Sequence, residues 1–257
     1  MSNSALVSCV IYSPNHSGHR NMEIDRITPH CVVGQCTVEA LGELFARPSR
    51  EASSNYGIGY DGRVGLYVDE ENRSWCSSSG ANDNRAITIE CASDTYQPIA
   101  MNACVYDRLI DLCADICKRN GKNKLIWFGD KNKTLNYNPQ PGEMILTVHR
   151  WFADTVCPGD WLYSRLGDLA SKVTARISGV TPEPAPEKKC PYLVKIVVDD
   201  LNIRKGAGTN YDVVRCIEPG IYTIVQEKSG RGASKWGKLK SGIGWVALDW
   251  CEYLRNV

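Results

Sequence analysis

The sequence predicts an α/β domain with a central mixed β-sheet flanked by helices, followed by a small all-β barrel. Its 257 residues exceed the usual size of a single domain. Strand and helix patterns alternate over residues 1–180, whereas residues 191–257 carry strand patterns alone. Between them, the spaced prolines of TPEPAPEKK forbid a helix and predict an extended linker over 181–190.

The helices of the first domain are predicted from apolar residues at helical spacing. Thr37 suits the N-cap of the first helix, and Asn120-Gly121 favours the end of the second. An Asp-Gly pair at 61–62 indicates a hairpin turn. The predicted helices are Thr37–Ala46, Ile99–Arg119 and Trp161–Ile177; the predicted strands are Ala5–Tyr12, Met22–Val33, Asn55–Ile58, Val64–Val68, Ala86–Ala92, Lys124–Phe128 and Ile145–Val148.

The second domain shows short strand signals separated by glycine-rich turns. This spacing is typical of a small antiparallel barrel. The predicted strands are Val194–Val198, Leu201–Arg204, Val213–Ile217, Tyr222–Gln226, Trp236–Leu239 and Gly244–Ala247.

The composition is that of an ordinary water-soluble globular chain and narrows the classes of partner. The formal net charge of +1 favours neither nucleic acid nor an anionic membrane. No apolar run is long enough to span a bilayer, and the N-terminus lacks the pattern of a secretory signal. The 12 cysteines do not form a compact disulfide framework, so we expect most of them to be small buried apolar residues in a reducing compartment.

One candidate metal site can be assembled from two distant segments. His149 and Cys157 lie eight residues apart in LTVHRWFADTVCPGDW, and His30 ends a predicted strand in ITPHCVVG. A catalytic zinc ion needs three such ligands and one open position. The spacing alone leaves a chance pairing open. His16 and His19, in a polar segment, are expected to be exposed loop residues.

Four segments in order, ITPHCVVG, NYGIGYDGRV, AITIECA and TVHRWFADTVCPG, resemble a known family. They are similar to the zinc-dependent N-acetylmuramoyl-L-alanine amidases of the type-2 amidase and peptidoglycan-recognition-protein superfamily, especially phage endolysins. The resemblance implies that fold, Zn²⁺ held by His30, His149 and Cys157, and hydrolysis of the muramoyl-L-alanine amide of bacterial peptidoglycan. It also implies synthesis in a bacterial cytoplasm and action on the cell wall after release.

The same resemblance assigns further roles. Tyr56 matches a tyrosine beside the metal, and Glu90 matches a glutamate that serves as general base. A carboxylate inside an apolar strand also has a purely structural reading, as a buried hydrogen-bond acceptor. Thr155 stands where many members carry a lysine that faces the oxyanion, and its hydroxyl brings no positive charge. Ser78, in the SSSG run, is expected to line the substrate groove.

The second domain resembles a bacterial SH3 (SH3b) domain over Tyr192–Leu254. LNIRKGAGTNYDVV and GIGWV carry the resemblance, which implies binding of cell-wall peptides. Tyr211 and Trp236 are the candidates for a surface groove. Aromatic residues also fill barrel cores, and Leu201 and Trp245 are expected there.

Two alternatives stand beside the amidase hypothesis. Cys36, in GQCT before a predicted helix, resembles the nucleophile of CHAP-type cysteine amidases and peptidases. Against it, no histidine lies between His30 and His149, where such domains carry theirs, and the Cys157-Pro-Gly turn stays unexplained. A non-catalytic peptidoglycan-binding protein would have disrupted ligands, whereas all three are present here.

Overall fold

The computed structural model describes residues 2–179, 189–196, 198 and 201–257. They belong to two compact units, Met1–Pro182 and Glu183–Val257. All but the last two residues of the predicted linker at 181–190 lie outside the described residues. Within these ranges, no helix combines the length and apolar character needed to cross a bilayer.

A seven-stranded mixed sheet forms the centre of the first unit, which confirms the predicted α/β class. The strands of this unit are β1 (Val7–Val10), β2 (His16–His19), β3 (Arg26–Cys31), β4 (Tyr56–Ile58), β5 (Val64–Leu66), β6 (Asn72–Ser74), β7 (Ala86–Cys91), β8 (Lys124–Ile126) and β9 (Glu143–Leu146). The order in the seven-stranded sheet is β1-β5-β4-β7-β3-β9-β8, and every neighbouring pair is parallel except β4 and β5. The antiparallel pair is the predicted hairpin.

Six helices accompany this sheet in the described residues. The Thr37 hydroxyl accepts a hydrogen bond from the Ala40 N–H, so the predicted N-cap is confirmed. The predicted helix Trp161–Ile177 is instead two helices, interrupted at residues 164–165. The helices are α1 (Val38–Phe45), α2 (Gly80–Asp83), α3 (Ala103–Arg119), α4 (Lys131–Asn136), α5 (Asp160–Tyr163) and α6 (Leu166–Ile177).

The main core of the first unit lies where the sheet meets α3 and α6, which pack against each other. On α3 the apolar residues recur on one face, and Leu109 and Leu112 are fully buried. Each such side chain contributes about 1.5–3 kcal/mol through removal of apolar surface from water. Cys113 and Cys117 are buried on the same helix, as predicted for small apolar fillers, whereas Cys104 is exposed.

His16 and His19 lie in a strand and not in the predicted loop. They belong to β2, which pairs antiparallel with β6 and places His16 opposite Ser74. The segment HSGH has no apolar alternation, so its sequence carries no strand signal. The backbone pairing with β6, distant in the sequence, decides the conformation.

A buried ion pair joins the N-terminus, β4 and the end of α3. Glu70 is fully buried and accepts hydrogen bonds from Arg119, at 2.8 Å between Nη1 and Oε2 and 2.5 Å between Nη2 and Oε1. The Tyr56 hydroxyl donates to Glu70 Oε1 at 2.6 Å and accepts from the Ser4 N–H. The Glu70 carboxylate is therefore bound by side chains of β4 and α3, and its role is structural.

The second unit is an all-β sheet, and each pair of neighbouring strands is antiparallel. The strands are β10 (Tyr192–Ile196), β11 (Leu201–Arg204), β12 (Val213–Ile217), β13 (Gly220–Gly230), β14 (Ala233–Leu239), β15 (Trp245–Ala247) and β16 (Cys251–Asn256). Their order in the sheet is β12-β11-β15-β14-β13-β10-β16. No separate strand is predicted from the sequence at β16, and closure as an SH3 barrel stays a prediction.

The two aromatic residues predicted to form a surface groove differ in their positions. Trp236 is 2% exposed and packs in the core of the second unit, so its predicted role in a surface groove is wrong. Tyr211 is 43% exposed on the turn between β11 and β12. Leu201 is buried and Trp245 packs against the same core, in line with their structural reading.

We expect Arg119→Ala to destabilise the first unit by about 3–5 kcal/mol, because it leaves the Glu70 carboxylate buried without its counter-ion. Urea unfolding followed by the helical circular dichroism signal measures this, since the described α-helices all lie in this unit. The control is Arg176→Ala, which removes the exposed pair with Asp111 and is expected to cost at most about 1 kcal/mol. Equal losses in both variants would contradict the assignment.

Candidate active site

The site begins with two adjacent parallel strands. β3 and β7 pair in register, which places His30 directly beside Glu90. On the other side of β7, Glu90 pairs with Gly57 of β4. Because side chains alternate between the two faces of a sheet, residues paired in register share a face. His30 and Glu90 therefore lie on the same face, near the carboxyl ends of their strands.

The loop after β9 brings two further candidate ligands, His149 and Cys157, close to His30. The ligand atoms of His30, His149 and Cys157 all lie within 4.8 Å of one another. Cys157 Sγ is 3.3 Å from His30 Nδ1, and the two imidazole centroids are 5.0 Å apart. His149 opens a short 3-10 turn after β9, and β9 pairs with β3. Sheet pairing thus joins segments more than 100 residues apart.

Burial keeps both imidazoles neutral, as metal ligation requires. His30 is 1% exposed, and burial together with the nearby His149 lowers its pKa to about 3. Burial also lowers the pKa of His149. The pKa of the Cys157 thiol is raised, first by its hydrogen bond with the Cys31 side chain and then by burial. A divalent cation opposes these effects because it stabilises the thiolate.

These residues fit Zn²⁺. Two imidazole nitrogens and one thiolate make a three-ligand zinc set that leaves a fourth position for water or substrate. The ring nitrogen of His30 that faces the Cys157 sulfur is Nδ1, so an imidazole nitrogen and a thiol that would share the ion already lie side by side.

Glu90 carries a carboxylate with a raised pKa. Burial raises its pKa to about 7, so the carboxylate can both accept and release a proton near neutral pH. Its Oε1 accepts a hydrogen bond from the Cys76 thiol, with 3.8 Å between sulfur and oxygen. Its Oε2 is shielded from solvent and has no partner in the described part of the chain.

A buried carboxylate shapes the loop beside His149. Asp83 accepts hydrogen bonds from the backbone N–H groups of Cys76 and Ser77 and from the Ser77 hydroxyl. The next residue, Ser78, adopts a left-handed backbone with φ of 60°. Its hydroxyl lies 3.1 Å from His149 Nε2. The loop therefore carries Cys76 and Ser78 to the edge of the candidate metal centre.

A groove of about 370 Å³ opens at this edge. Ser78 lines it together with Glu90 and His149, and its predicted contact with substrate stays a prediction. Sequence reasoning missed most of the other lining residues, because they come from separate loops and share no motif. They include Arg50, Arg73, Trp75, Cys76, Ser79 and Asp83.

Thr155 lies in the loop between His149 and Cys157 and stabilises it. Its Oγ1 accepts a hydrogen bond from the Cys157 N–H at 3.2 Å. Because a hydroxyl that accepts still has its own proton, Thr155 can donate to a second group.

The amino-acid sequence that forms this fold and this site matches the model of a known protein family. Residues 20–160, more than half of the chain, match the family described as N-acetylmuramoyl-L-alanine amidase. The chain belongs to the N-acetylmuramoyl-L-alanine amidase family. No curated protein matches it.

Several solved structures resemble this amidase-family chain. The structure of PlyL is 14% identical with a TM-score of 0.47, over 67% of this chain and 97% of that one. The Staphylococcus aureus hydrolase AmiA, in complex with its ligand, is 16% identical with a TM-score of 0.47, over 70% and 95%. The endolysin LysCS from Clostridium intestinale is 16% identical with a TM-score of 0.40, over 60% and 88%.

The predicted role of Tyr56 in this amidase is wrong. Tyr56 pairs with Ile89, one position before Glu90, and therefore lies on the opposite face of the sheet from Glu90. Its hydroxyl is engaged by Glu70 and the Ser4 N–H. A one-residue offset in a strand cannot be corrected by a side-chain rotation, so this hydroxyl does not reach the site.

The rival nucleophile Cys36 is not favoured. It lies half-buried just before α1, and burial raises the pKa of its thiol. A cysteine nucleophile needs a lowered pKa and an adjacent base. Among the described residues, His30 and His149 lie close to Cys157 and are not grouped with Cys36.

Cys157→Ser should weaken zinc binding by more than about 100-fold, because changes even in groups that only support metal ligands cost 10–100-fold. Equilibrium dialysis with metal analysis measures the affinity. Cys104→Ser, which changes an exposed thiol on α3, is the control and should bind zinc as the parent chain does. Unchanged zinc affinity in Cys157→Ser would refute this ligand set.

Proposed function

We propose that this chain is a zinc-dependent endolysin that hydrolyses the amide bond between N-acetylmuramic acid and L-alanine in bacterial peptidoglycan. The convergence of His30, His149 and Cys157 beside Glu90, in a member of the amidase family, carries this proposal. The adjacent groove supports it, because it gives an extended substrate access to the same residues.

His30, His149 and Cys157 would hold the metal. Zn²⁺ bound there supplies Lewis acidity, which lowers the pKa of a water molecule and polarises the carbonyl of the scissile amide. The buried imidazoles contribute by staying neutral, because neither competes for a proton at the pH of the reaction. Thr155 contributes by holding the Cys157 backbone N–H, which fixes the ligand loop.

Glu90 acts as the general base in this proposal. It takes a proton from the attacking water and returns it to the nitrogen of the leaving L-alanine, so no net proton stays on the enzyme. A pKa of about 7 suits both steps. The Thr155 hydroxyl donates a hydrogen bond to the developing oxyanion, and Ser78 contacts the substrate at the edge of the groove.

The second unit is proposed to bind the cell wall as an SH3b domain. Exposed Tyr211 supports this role, since an aromatic ring with a hydroxyl suits a peptide-binding surface. Trp236 contributes to this unit only as a buried core residue. Binding to the wall by one unit raises the local concentration of substrate at the other.

Digestion of purified peptidoglycan tests the proposed reaction. We expect release of stem peptides with new L-alanine amino termini, and loss of this release when a zinc chelator is added. Re-addition of Zn²⁺ should restore it. New reducing ends of glycan strands, or peptide–peptide cleavage without free stem peptides, would show that another bond is cut.

Glu90→Gln should lower kcat by about 10²–10⁴-fold while zinc binding is kept, because the amide preserves the shape of the side chain but cannot accept the proton. Initial rates on solubilised peptidoglycan, together with zinc content, measure both. Glu39→Gln is the control, since Glu39 pairs with Arg63 on the surface, away from the groove. Activity close to that of the parent chain in Glu90→Gln would remove Glu90 from the mechanism.

A further inference from the structure

A second group of potential metal ligands lies beside the first. The ligand atoms of His30, Cys76 and Glu90 all lie within 4.8 Å of one another. His30 and Glu90 are register partners on β3 and β7, and Cys76 enters from the loop after β6. The hydrogen bonds from its N–H and that of Ser77 to Asp83 hold this loop in place. The register of the sheet and the hydrogen bonds to buried Asp83 therefore hold these three side chains close together.

Two atoms of this group are buried without a hydrogen-bond partner in the described part of the chain. They are His30 Nε2 and Glu90 Oε2. The His30 side chain is almost wholly buried, at 1% exposure. Glu90 Oε1 has a long contact with the Cys76 sulfur, at 3.8 Å. Buried polar atoms are rarely left without a partner, and an imidazole nitrogen and a carboxylate oxygen are both groups that bind a cation.

We propose that His30, Cys76 and Glu90 form an alternative position for a thiophilic divalent cation such as Zn²⁺ or Cd²⁺. One imidazole, one thiolate and one carboxylate are ligands that these ions accept together. Binding forms a sulfur–metal bond and releases the thiol proton of Cys76 to solvent. Cys76 is half-buried and lines the groove, so an ion can reach it from outside.

The two ligand sets share His30, so they are alternative positions for one ion. An ion held by Cys76 and Glu90 engages the carboxylate and leaves His149 and Cys157 without metal. The chain would then carry metal in an inactive form. This consequence for activity rests on the proposed function, whereas the metal position itself does not.

Cadmium binding to a chain that lacks the first set tests the proposal. The full-length double variant His149→Ala/Cys157→Ser keeps His30, Cys76 and Glu90. We expect it to bind one Cd²⁺ with an ultraviolet thiolate-to-cadmium charge-transfer band, confirmed by equilibrium dialysis. Adding Cys76→Ser should remove the band and weaken binding by more than about 100-fold. Adding Cys104→Ser instead, as a matched loss of one thiol, should change neither.

Absence of cadmium binding in the double variant, or binding that Cys76→Ser leaves unchanged, would overturn the proposal. Circular dichroism of each variant establishes that it is folded. If the double variant does not fold, the single variant Cys157→Ser, which lacks one ligand of the first set, supplies the test through alkylation of thiols followed by mass spectrometry. One equivalent of Cd²⁺ should slow alkylation of Cys76 by at least about threefold relative to Cys104, and an unchanged ratio would refute the site.

The result of the cadmium-binding test is independent of the result that tests the proposed function. A chain without amidase activity on peptidoglycan can still bind cadmium through Cys76, and the double variant is tested by binding alone. Conversely, loss of the cadmium site leaves the chelator-sensitive digestion of peptidoglycan as a separate result.

Discussion

The in-register pairing of β3 with β7 is the constraint on which the candidate site depends. It places an imidazole beside a carboxylate on one face of the sheet, with no loop between them. His149 and Cys157 reach this pair because β9 is the next strand beyond β3. A slip of one residue in either strand would turn His30 or Glu90 to the opposite face, so the chemistry depends on the same backbone hydrogen bonds as the fold.

A buried polar network links the strands of the candidate site to the loop that lines the groove. Asn82 donates to Thr28 on β3 and accepts from Thr147, which follows β9, and these two hydroxyls are 2.7 Å apart. The neighbouring Asp83 holds the loop that carries Cys76 and Ser78. Because these hydrogen bonds join α2 to β3, to the residue after β9 and to the loop after β6, the strands and the loop that lines the groove are positioned together.

Patterns that are local in the sequence predicted the fold well. The Thr37 cap, the Asp-Gly hairpin and the apolar face of α3 each depend on neighbours within a few residues, and the structure contains all three. Features set by distant partners were missed. β2 forms because β6 pairs with it, and Cys76 reaches Glu90 because Asp83 folds its loop.

The errors at aromatic residues have the same origin. Tyr56 is one residue out of phase with Glu90, a difference that a motif does not record but a strand converts into opposite faces. Trp236 illustrates the other limit, since composition does not separate a ring that fills a core from one on a surface. In both cases the residue type was suggestive, and register or burial decided its position.

The distance in sequence between the candidate ligands would couple metal binding to folding in the proposed enzyme. His30 is separated from Cys157 by most of the first unit, so an unfolded chain cannot bring them together without loss of chain entropy. An ion bound only by the folded state adds stability in proportion to the logarithm of its concentration over Kd, about 4 kcal/mol at a thousandfold excess. In the proposed enzyme, metal supply would thereby set the fraction of the chain that is folded, in addition to whether it is active.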